Sequence, residues 1–167
     1  MSSLLTPHPP ILTPRRGIGV VELVVAVGII TTVAVGVLAV GRFAILAQRV
    51  AALDRRAVLV AAEGMATARF VRDANWAAFA ALPVDTPLYP TFAGGAVSLS
   101  IVDPGDVDGV FIRVVTLSNV YRDGSGNITP TGTLDADARG TDVTVTWTDP
   151  FGGNRSSDID AYLMNLN

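Results

Sequence analysis

Apolar residues follow one another almost without interruption near the amino terminus. The segment 18–41, IGVVELVVAVGIITTVAVGVLAVG, contains one charged residue, Glu22. As an α-helix it would be about 36 Å long, which is enough to cross a bilayer hydrocarbon core of about 30 Å. The alternative, a buried helix of a soluble core, seldom stays apolar on every side over such a length. The pattern therefore predicts a membrane-spanning helix over 18–41.

The helical pattern continues beyond the apolar segment. No proline occurs between Pro14 and Pro83, and the segment 42–82 is rich in Ala, Val, Leu and Arg. Four charged residues recur at intervals of seven and mark a narrow polar stripe: Arg42, Arg49, Arg56 and Glu63. We expect one helix that runs to about Ala81. The apolar sides of its amphipathic second part, 42–82, would pack on the carboxy-terminal domain and on partner helices.

The pattern changes in 83–167, where prolines and glycines return and apolar residues alternate with polar ones. The alternation predicts four strands, near 97–101, 110–120, 143–148 and 158–163, with turns at 123–127 and 149–154. A sheet with one apolar face needs a cover, which the second part of the long helix would provide. The predicted fold is α+β: a long amino-terminal helix, membrane-spanning in its first half, packed on a four-stranded antiparallel sheet.

The segment 1–17 differs from everything that follows it. It contains four prolines and no acidic residue, and it ends in Arg15, Arg16 and Gly17. In a secretory signal peptide the cleavage site follows the apolar core, whereas here the candidate cleavage site precedes it. We interpret 1–17 as a leader peptide of another kind.

Glu22 needs an explanation, because ionisable residues within membrane spans are costly and usually functional. Cleavage after Gly17 would leave the α-amine of Ile18, which has a reference pKa of about 8 and would be mostly positive at neutral pH. That amine would lie near the membrane depth of Glu22 in an adjacent copy, so that cleavage would create a partner for the carboxylate. The alternative is a glutamate that reaches back to the interface from a helix end.

The run Arg15-Arg16-Gly17, followed by Ile18-Gly-Val-Val-Glu22-Leu-Val-Val-Ala, resembles the class III signal of type IV prepilins and pseudopilins. A long helix that carries a β-rich head, the lollipop outline of that family, is similar as well. The resemblance implies that a prepilin peptidase cleaves between Gly17 and Ile18 on the cytoplasmic side and N-methylates Ile18. It also implies that Glu22 is the assembly carboxylate, which neutralises the terminal amine of a neighbouring subunit.

The sequence departs from the usual family pattern in three ways. Ile18 replaces the usual Phe after the cut and is a permitted type of residue there. No proline occurs about twenty residues further on and the chain has no Cys, and these two departures favour a minor pilin or pseudopilin over a major pilin. The resemblance implies four partners: the prepilin peptidase, other pilin or pseudopilin subunits, an inner-membrane assembly platform and membrane lipid. It implies a single pass through the inner membrane with a cytoplasmic amino terminus, an extracytoplasmic head, and later a place in an extracellular or periplasmic filament.

Composition narrows the possible chemistry. The chain has no Cys and no Lys, and His8 is its only histidine, which excludes thiol, Schiff-base and histidine general-base catalysis. Only a pair of aspartates could serve as catalytic groups, so we expect no enzymatic activity and no cofactor. Residues 74–167 carry four Arg against eleven acidic residues, and this net negative charge argues against direct nucleic-acid binding.

Charge also bears on orientation. Residues 42–73 carry six Arg against three acidic residues, so more positive charge follows the span than the two arginines that precede it. The positive-inside rule would therefore place the amino terminus outside. The cleavage motif implies the opposite orientation, and we follow the motif because the peptidase acts on the cytoplasmic side.

Two polar loops have oxygen-bearing side chains at near-alternate positions, as Ca²⁺ sites do. They supply Asp103, Asp106 and Asp108 in one loop and Asp123 and Asn127 in the other. Hairpin turns use the same residue types, and neither loop has the full twelve-residue calcium pattern, so no metal site is predicted. A rival function is a single-span, membrane-anchored binding protein that does not polymerise. It predicts that Gly17 stays uncut and that Glu22 is replaceable.

Overall fold

The helical part of the chain consists of one long helix and one short one. The computed structural model describes residues 19–166, in which α1 spans Val20–Ala74 and α2 spans Trp76–Ala80. The predicted continuous helix to Ala81 is thus wrong at its end. Asn75 has extended backbone angles (φ −163°, ψ 102°), and its Oδ1 accepts a hydrogen bond from the Ala78 N–H at 3.0 Å. Asn75 therefore ends α1 and caps the amino terminus of α2.

The carboxy-terminal part forms one antiparallel sheet of six strands. Its strands are β1 Pro87–Ala93, β2 Ala96–Ser100, β3 Ile112–Arg122, β4 Ile128–Thr129, β5 Thr133–Thr148 and β6 Asn154–Met164. The order is β2-β1-β3-β5-β6, with β4 paired to one end of β3. The α+β class is confirmed, whereas the expected number of four strands is wrong.

The described chain divides into two units, one that ends at Ala44 and one that begins at Ile45. The core lies in the second unit, where one face of α1 packs on one face of the sheet. The helix contributes buried Ala57, Val60, Ala61, Met65 and Ala68, spaced three and four residues apart as one helix face requires. The sheet contributes alternate residues of its inner face, which include Val115, Leu117, Val143, Val145 and Leu163.

Gly64 lies in a close contact between the helix and the sheet. A Cβ atom built on Gly64 would lie 2.8 Å from Val143 Cγ1 and 3.0 Å from Arg113 Cδ. Both distances are shorter than the 3.5–4.0 Å at which carbon atoms normally pack. The missing side chain of Gly64 thus sets the distance between α1 and the strands β3 and β5.

An ion pair with one buried member, Arg113, lies beside this contact. The Arg113 side chain, 5% exposed, projects from β3 and donates to Glu63 Oε2 at 2.9 Å, and it also donates to the Val60 carbonyl at 3.3 Å. Glu63 is itself 55% exposed, so its carboxylate remains hydrated while it neutralises the guanidinium. This pairing allows a charged group within the helix–sheet interface.

The β5–β6 hairpin, which the sequence predicts at 149–154, is confirmed. The buried Asp149 carboxylate accepts hydrogen bonds from the backbone N–H groups of Phe151 and Gly153, both at 2.9 Å. It also accepts from Arg155 Nε at 2.9 Å, and that side-chain bond is the main cause that lowers the pKa of Asp149. One aspartate therefore holds the tight turn and its flanking arginine together.

Candidate functional site

Glu22 lies in the first turn of α1 and is exposed. The helix begins at Val20, and the first backbone bond runs from the Leu23 N–H to the Gly19 carbonyl at 3.2 Å. A carboxylate in this turn interacts favourably with the positive end of the helix dipole. The other residues of the expected processing site, 15–18, lie outside the described part of the chain.

The helix surface that follows Glu22 is apolar and uncovered. From Val20 to Ala44 every side chain is exposed, including valine, isoleucine and leucine residues on all sides of the helix. An apolar surface of this extent is unfavourable in water and is typical of a surface that contacts lipid or other protein. Among the described residues this is the one helix long and apolar enough to cross a membrane.

Polar groups within the apolar segment are satisfied by the helix itself. The hydroxyl of Thr31 donates to the Val27 carbonyl at 2.7 Å, and that of Thr32 donates to the Gly28 carbonyl at 2.9 Å. Gly28, Thr32 and Gly36 are four residues apart and so share one side of the helix. The surroundings of Gly28 and Gly36 are open, which leaves room for a close approach by a second helix.

The charged stripe predicted at intervals of seven is divided between two environments. Arg42 and Arg49 are exposed, and no ion pair joins them to another residue of 19–166. Arg56 instead pairs with Asp108 at 2.7 Å, and Glu63 pairs with the buried Arg113. Half of the stripe thus attaches α1 to the β-rich part of the chain.

The five calcium candidates are not brought together. Asp108 forms an ion pair with Arg56, Asp103 Oδ1 accepts a hydrogen bond from the Gly105 N–H at 2.8 Å, and Asp106 is exposed. In the other loop Asp123 accepts two bonds from Asn127, and the Asn127 side-chain amide is the largest cause that lowers the pKa of Asp123. No cluster of three or more His, Cys, Asp or Glu residues with metal-site geometry occurs within 19–166.

Sequence reasoning missed the contacts that position α1 on the sheet. Gly64 and Arg113 are separated by 49 positions in the chain, and a lone glycine in a helical pattern does not reveal the strand that approaches it. Arg113 did offer a signal, because it interrupts the apolar run 110–120 on the side that alternation assigns to the core. A charged residue at such a position requires a partner of opposite charge on the covering helix.

No model of a known protein family, no curated protein and no solved structure matches this chain. The functional conclusion therefore depends on the chain's own residues, above all on the uncovered apolar helix and on the carboxylate in its first turn.

Proposed function

We propose that this chain is a structural subunit, a minor pilin or pseudopilin, of a type IV pilus-like filament. The observation that carries the proposal is Glu22, an exposed carboxylate in the first turn of a helix whose next 22 residues are exposed and almost entirely apolar. The motif around Gly17 accounts for a cationic partner of this carboxylate, because cleavage there leaves a positive amine four residues before Glu22. The role is structural, with no catalytic step.

Assembly follows from the physical chemistry of that helix. Before assembly lipid covers its apolar surface, and in the filament neighbouring copies of the same helix replace the lipid. A carboxylate that enters this low-dielectric environment is strongly stabilised by a neighbouring cation and destabilised without one. The terminal amine of Ile18 in an adjacent subunit is that cation, so the ion pair sets the axial register between copies.

The proposal places the chain in the inner membrane, with its amino terminus in the cytoplasm and residues 45–167 outside. Prepilin peptidase would process it, and an assembly platform would add it to a filament of a type IV pilus, type II secretion or competence system. The Arg-rich stretch after the span then lies on the extracytoplasmic side. There, Arg56 is already neutralised by Asp108 of the same chain.

Processing is tested by intact mass and amino-terminal sequencing of the chain extracted from membranes after expression beside its native prepilin peptidase. We expect a chain that begins at Ile18 and carries one added methyl group. Gly17→Leu should keep the leader, while Gly28→Leu, a matched change at an open glycine of the helix, should be processed normally. An uncut wild-type chain would favour the anchored binding protein that does not polymerise.

Assembly is tested in the native host by comparing the sheared filament fraction with the membrane fraction. Glu22→Ala should insert into the membrane normally and be lost from filaments, and Glu22→Gln should behave alike because charge is the property that matters. Val21→Ala, which shortens the neighbouring exposed side chain, serves as the control. Normal incorporation of both Glu22 variants would contradict the amine–carboxylate pair.

A further inference from the structure

The outward side of α1 within residues 45–74 forms a mixed apolar and basic surface, which we call the helix surface. It consists of Arg55, Val58, Leu59, Ala62, Arg69 and Phe70, all exposed. Leu59 is 69% exposed and Phe70 is 56% exposed, although both belong to the compact unit that contains the core. Within 19–166 no ion pair involves Arg55 or Arg69.

The outer face of the sheet forms an acidic counterpart, which we call the strand surface. It consists of Ile112, Asp142, Thr144, Asp158, Asp160 and Tyr162, which alternate with the core-facing residues of β3, β5 and β6. Asp142 lies directly opposite Asp160, and Asp158 lies opposite Thr144, the next outward residue along β5. Like charges in directly opposed positions destabilise a sheet unless a cation lies near them.

Within residues 19–166 no arginine lies on the strand surface. The four arginines of 74–167 are used elsewhere: Arg113 binds Glu63, Arg122 binds Asp135, Arg139 donates to the Ala80 carbonyl, and Arg155 binds Asp149. The apolar side chains that accompany the carboxylates are also uncovered, since Ile112 is 47% and Tyr162 55% exposed. The strand surface therefore lacks both a counter-charge and an apolar cover.

The helix surface has the complementary properties. Arg55 and Arg69, which form no ion pair within 19–166, lie on the same side of the helix as exposed Val58, Leu59 and Phe70. The small side chain of Ala62, on the same side, leaves room for a sheet to approach closely. The inner face of the same sheet is already covered by an alanine-rich face of α1. A second helix on the outer face would complete a layered arrangement that is common in proteins with sheets.

The two surfaces of one chain cannot meet, because α1 packs on the inner face of the sheet while the strand surface is the outer face. We propose that the strand surface of one copy packs on the helix surface of a second copy, with Asp142, Asp158 and Asp160 facing Arg55 and Arg69. The contact joins different surfaces of identical chains, so each copy leaves one surface free for the next and the association propagates in one direction. It involves residues 45–166 alone and does not depend on cleavage at Gly17.

Cysteine cross-linking in membranes tests this contact, since the natural chain contains no cysteine. Full-length Ala62→Cys and Ser156→Cys chains, each with its own tag, are expressed together and treated with a short bismaleimide. Both positions are exposed, one on the helix surface and one beside Asp158. We expect the mixed dimer to form about tenfold more than either self-dimer and about tenfold more than a control pair of Ser125→Cys with Ser156→Cys.

Charge reversal tests the pairing itself. Arg55→Asp with Arg69→Asp should lower the mixed cross-link about tenfold, as should Asp158→Arg with Asp160→Arg, whereas the chain that carries all four changes should regain it. Raising NaCl from about 50 to about 500 mM should also weaken the wild-type contact. Tryptophan fluorescence of each variant verifies that the fold is retained.

Three results would overturn the proposal: Ala62→Cys self-dimers in equal yield, a mixed yield no higher than the Ser125 control, or charge reversals without effect in folded variants. Intact mass of the same membranes reports whether the leader was removed. A normal cross-link in uncut chains would refute processing while supporting this contact. Cleaved chains that give no mixed cross-link would support processing while refuting this contact.

Discussion

Replacing Gly64 with alanine tests the central contact of the fold. In an ordinary helix interior this change is favourable by about 1 kcal/mol, because alanine restricts the unfolded backbone more than glycine does. At Gly64 the new methyl group would lie 2.8 Å from Val143 Cγ1 and 3.0 Å from Arg113 Cδ. Both neighbours must move, and neither moves freely: Val143 is a fully buried β-branched residue, and Arg113 is held by Glu63.

Overpacking of a core by one methyl group costs about 1–3 kcal/mol. Subtracting the gain in helix propensity leaves a net loss of about 1 kcal/mol, which corresponds to a fall in Tm of about 4 °C for a domain of this size. Val143→Ala should reverse part of this loss, because it removes the methyl group that is in closest contact. The two substitutions should therefore be coupled by about 1 kcal/mol.

The measurement is thermal unfolding of the full chain in detergent micelles, followed by near-ultraviolet circular dichroism of Trp76 and Trp147. Ala62→Gly, on the exposed side of the same helix, measures the propensity contribution without the packing contribution. A Tm for Gly64→Ala equal to or above that of the wild type would refute the reasoning. Strict additivity of Gly64→Ala and Val143→Ala would refute it as well.

Two further predictions concern charged groups near the core. Glu63→Gln should lower the free energy of unfolding by about 1–2 kcal/mol, because it leaves the Arg113 guanidinium buried without its counter-charge. Arg113→Met should cost less, because it removes the buried charge itself. Equal urea midpoints for the two variants would count against this explanation. The pKa of Asp149 is lowered in the folded state by Arg155, so its contribution to stability is present above the unfolded pKa of about 4 and is lost as pH falls through the folded pKa. The Tm of the wild type should therefore fall more steeply below pH 4 than that of Asp149→Asn, and parallel profiles would contradict this.

Regular periodicity made much of the fold predictable. The apolar segment, the helix packed on a sheet and the β5–β6 hairpin all follow from runs whose period matches their structure. The end of α1 was missed because the residues after Asn75, Trp-Ala-Ala-Phe-Ala, continue a helical composition. The break at Asn75 is a capping event, and a single capping residue is a weak signal within a long helical run.

Strand β1 and the first half of β5 were missed for separate physical reasons. Strand β1 contains Pro87 and Pro90, which argue against a strand. From Tyr89 onward, however, β1 pairs with β2 alone, so its other edge is unpaired there and tolerates the missing N–H of Pro90. The first half of β5 is polar and irregular, and its ladder with β3 is shifted between Asn119 and Tyr121. Register shifts of this kind depend on the partner strand and leave no mark in a single segment of sequence.

Of the candidate site, Glu22 was identified from the sequence because a carboxylate in an apolar run is conspicuous. The strand surface was not, although each of its aspartates is visible in the sequence. Alternation shows that Asp158 and Asp160 face outward, but only the strand register places Asp142 directly opposite Asp160. Long-range pairing therefore determines whether scattered charges form one surface.

The missing side chain of Gly64 has a mechanical consequence. Sliding α1 along the sheet by one helical turn, about 5.4 Å, would bring a larger residue against Val143 and would separate Glu63 from the buried Arg113. Axial displacement of α1 is thus opposed by a steric contact at Gly64 and by the loss of an ion pair at Glu63, its neighbour in the chain. A load applied along the helix axis would be carried into strands β3 and β5 at this point, so that the helix resists being drawn off the sheet until the core itself yields.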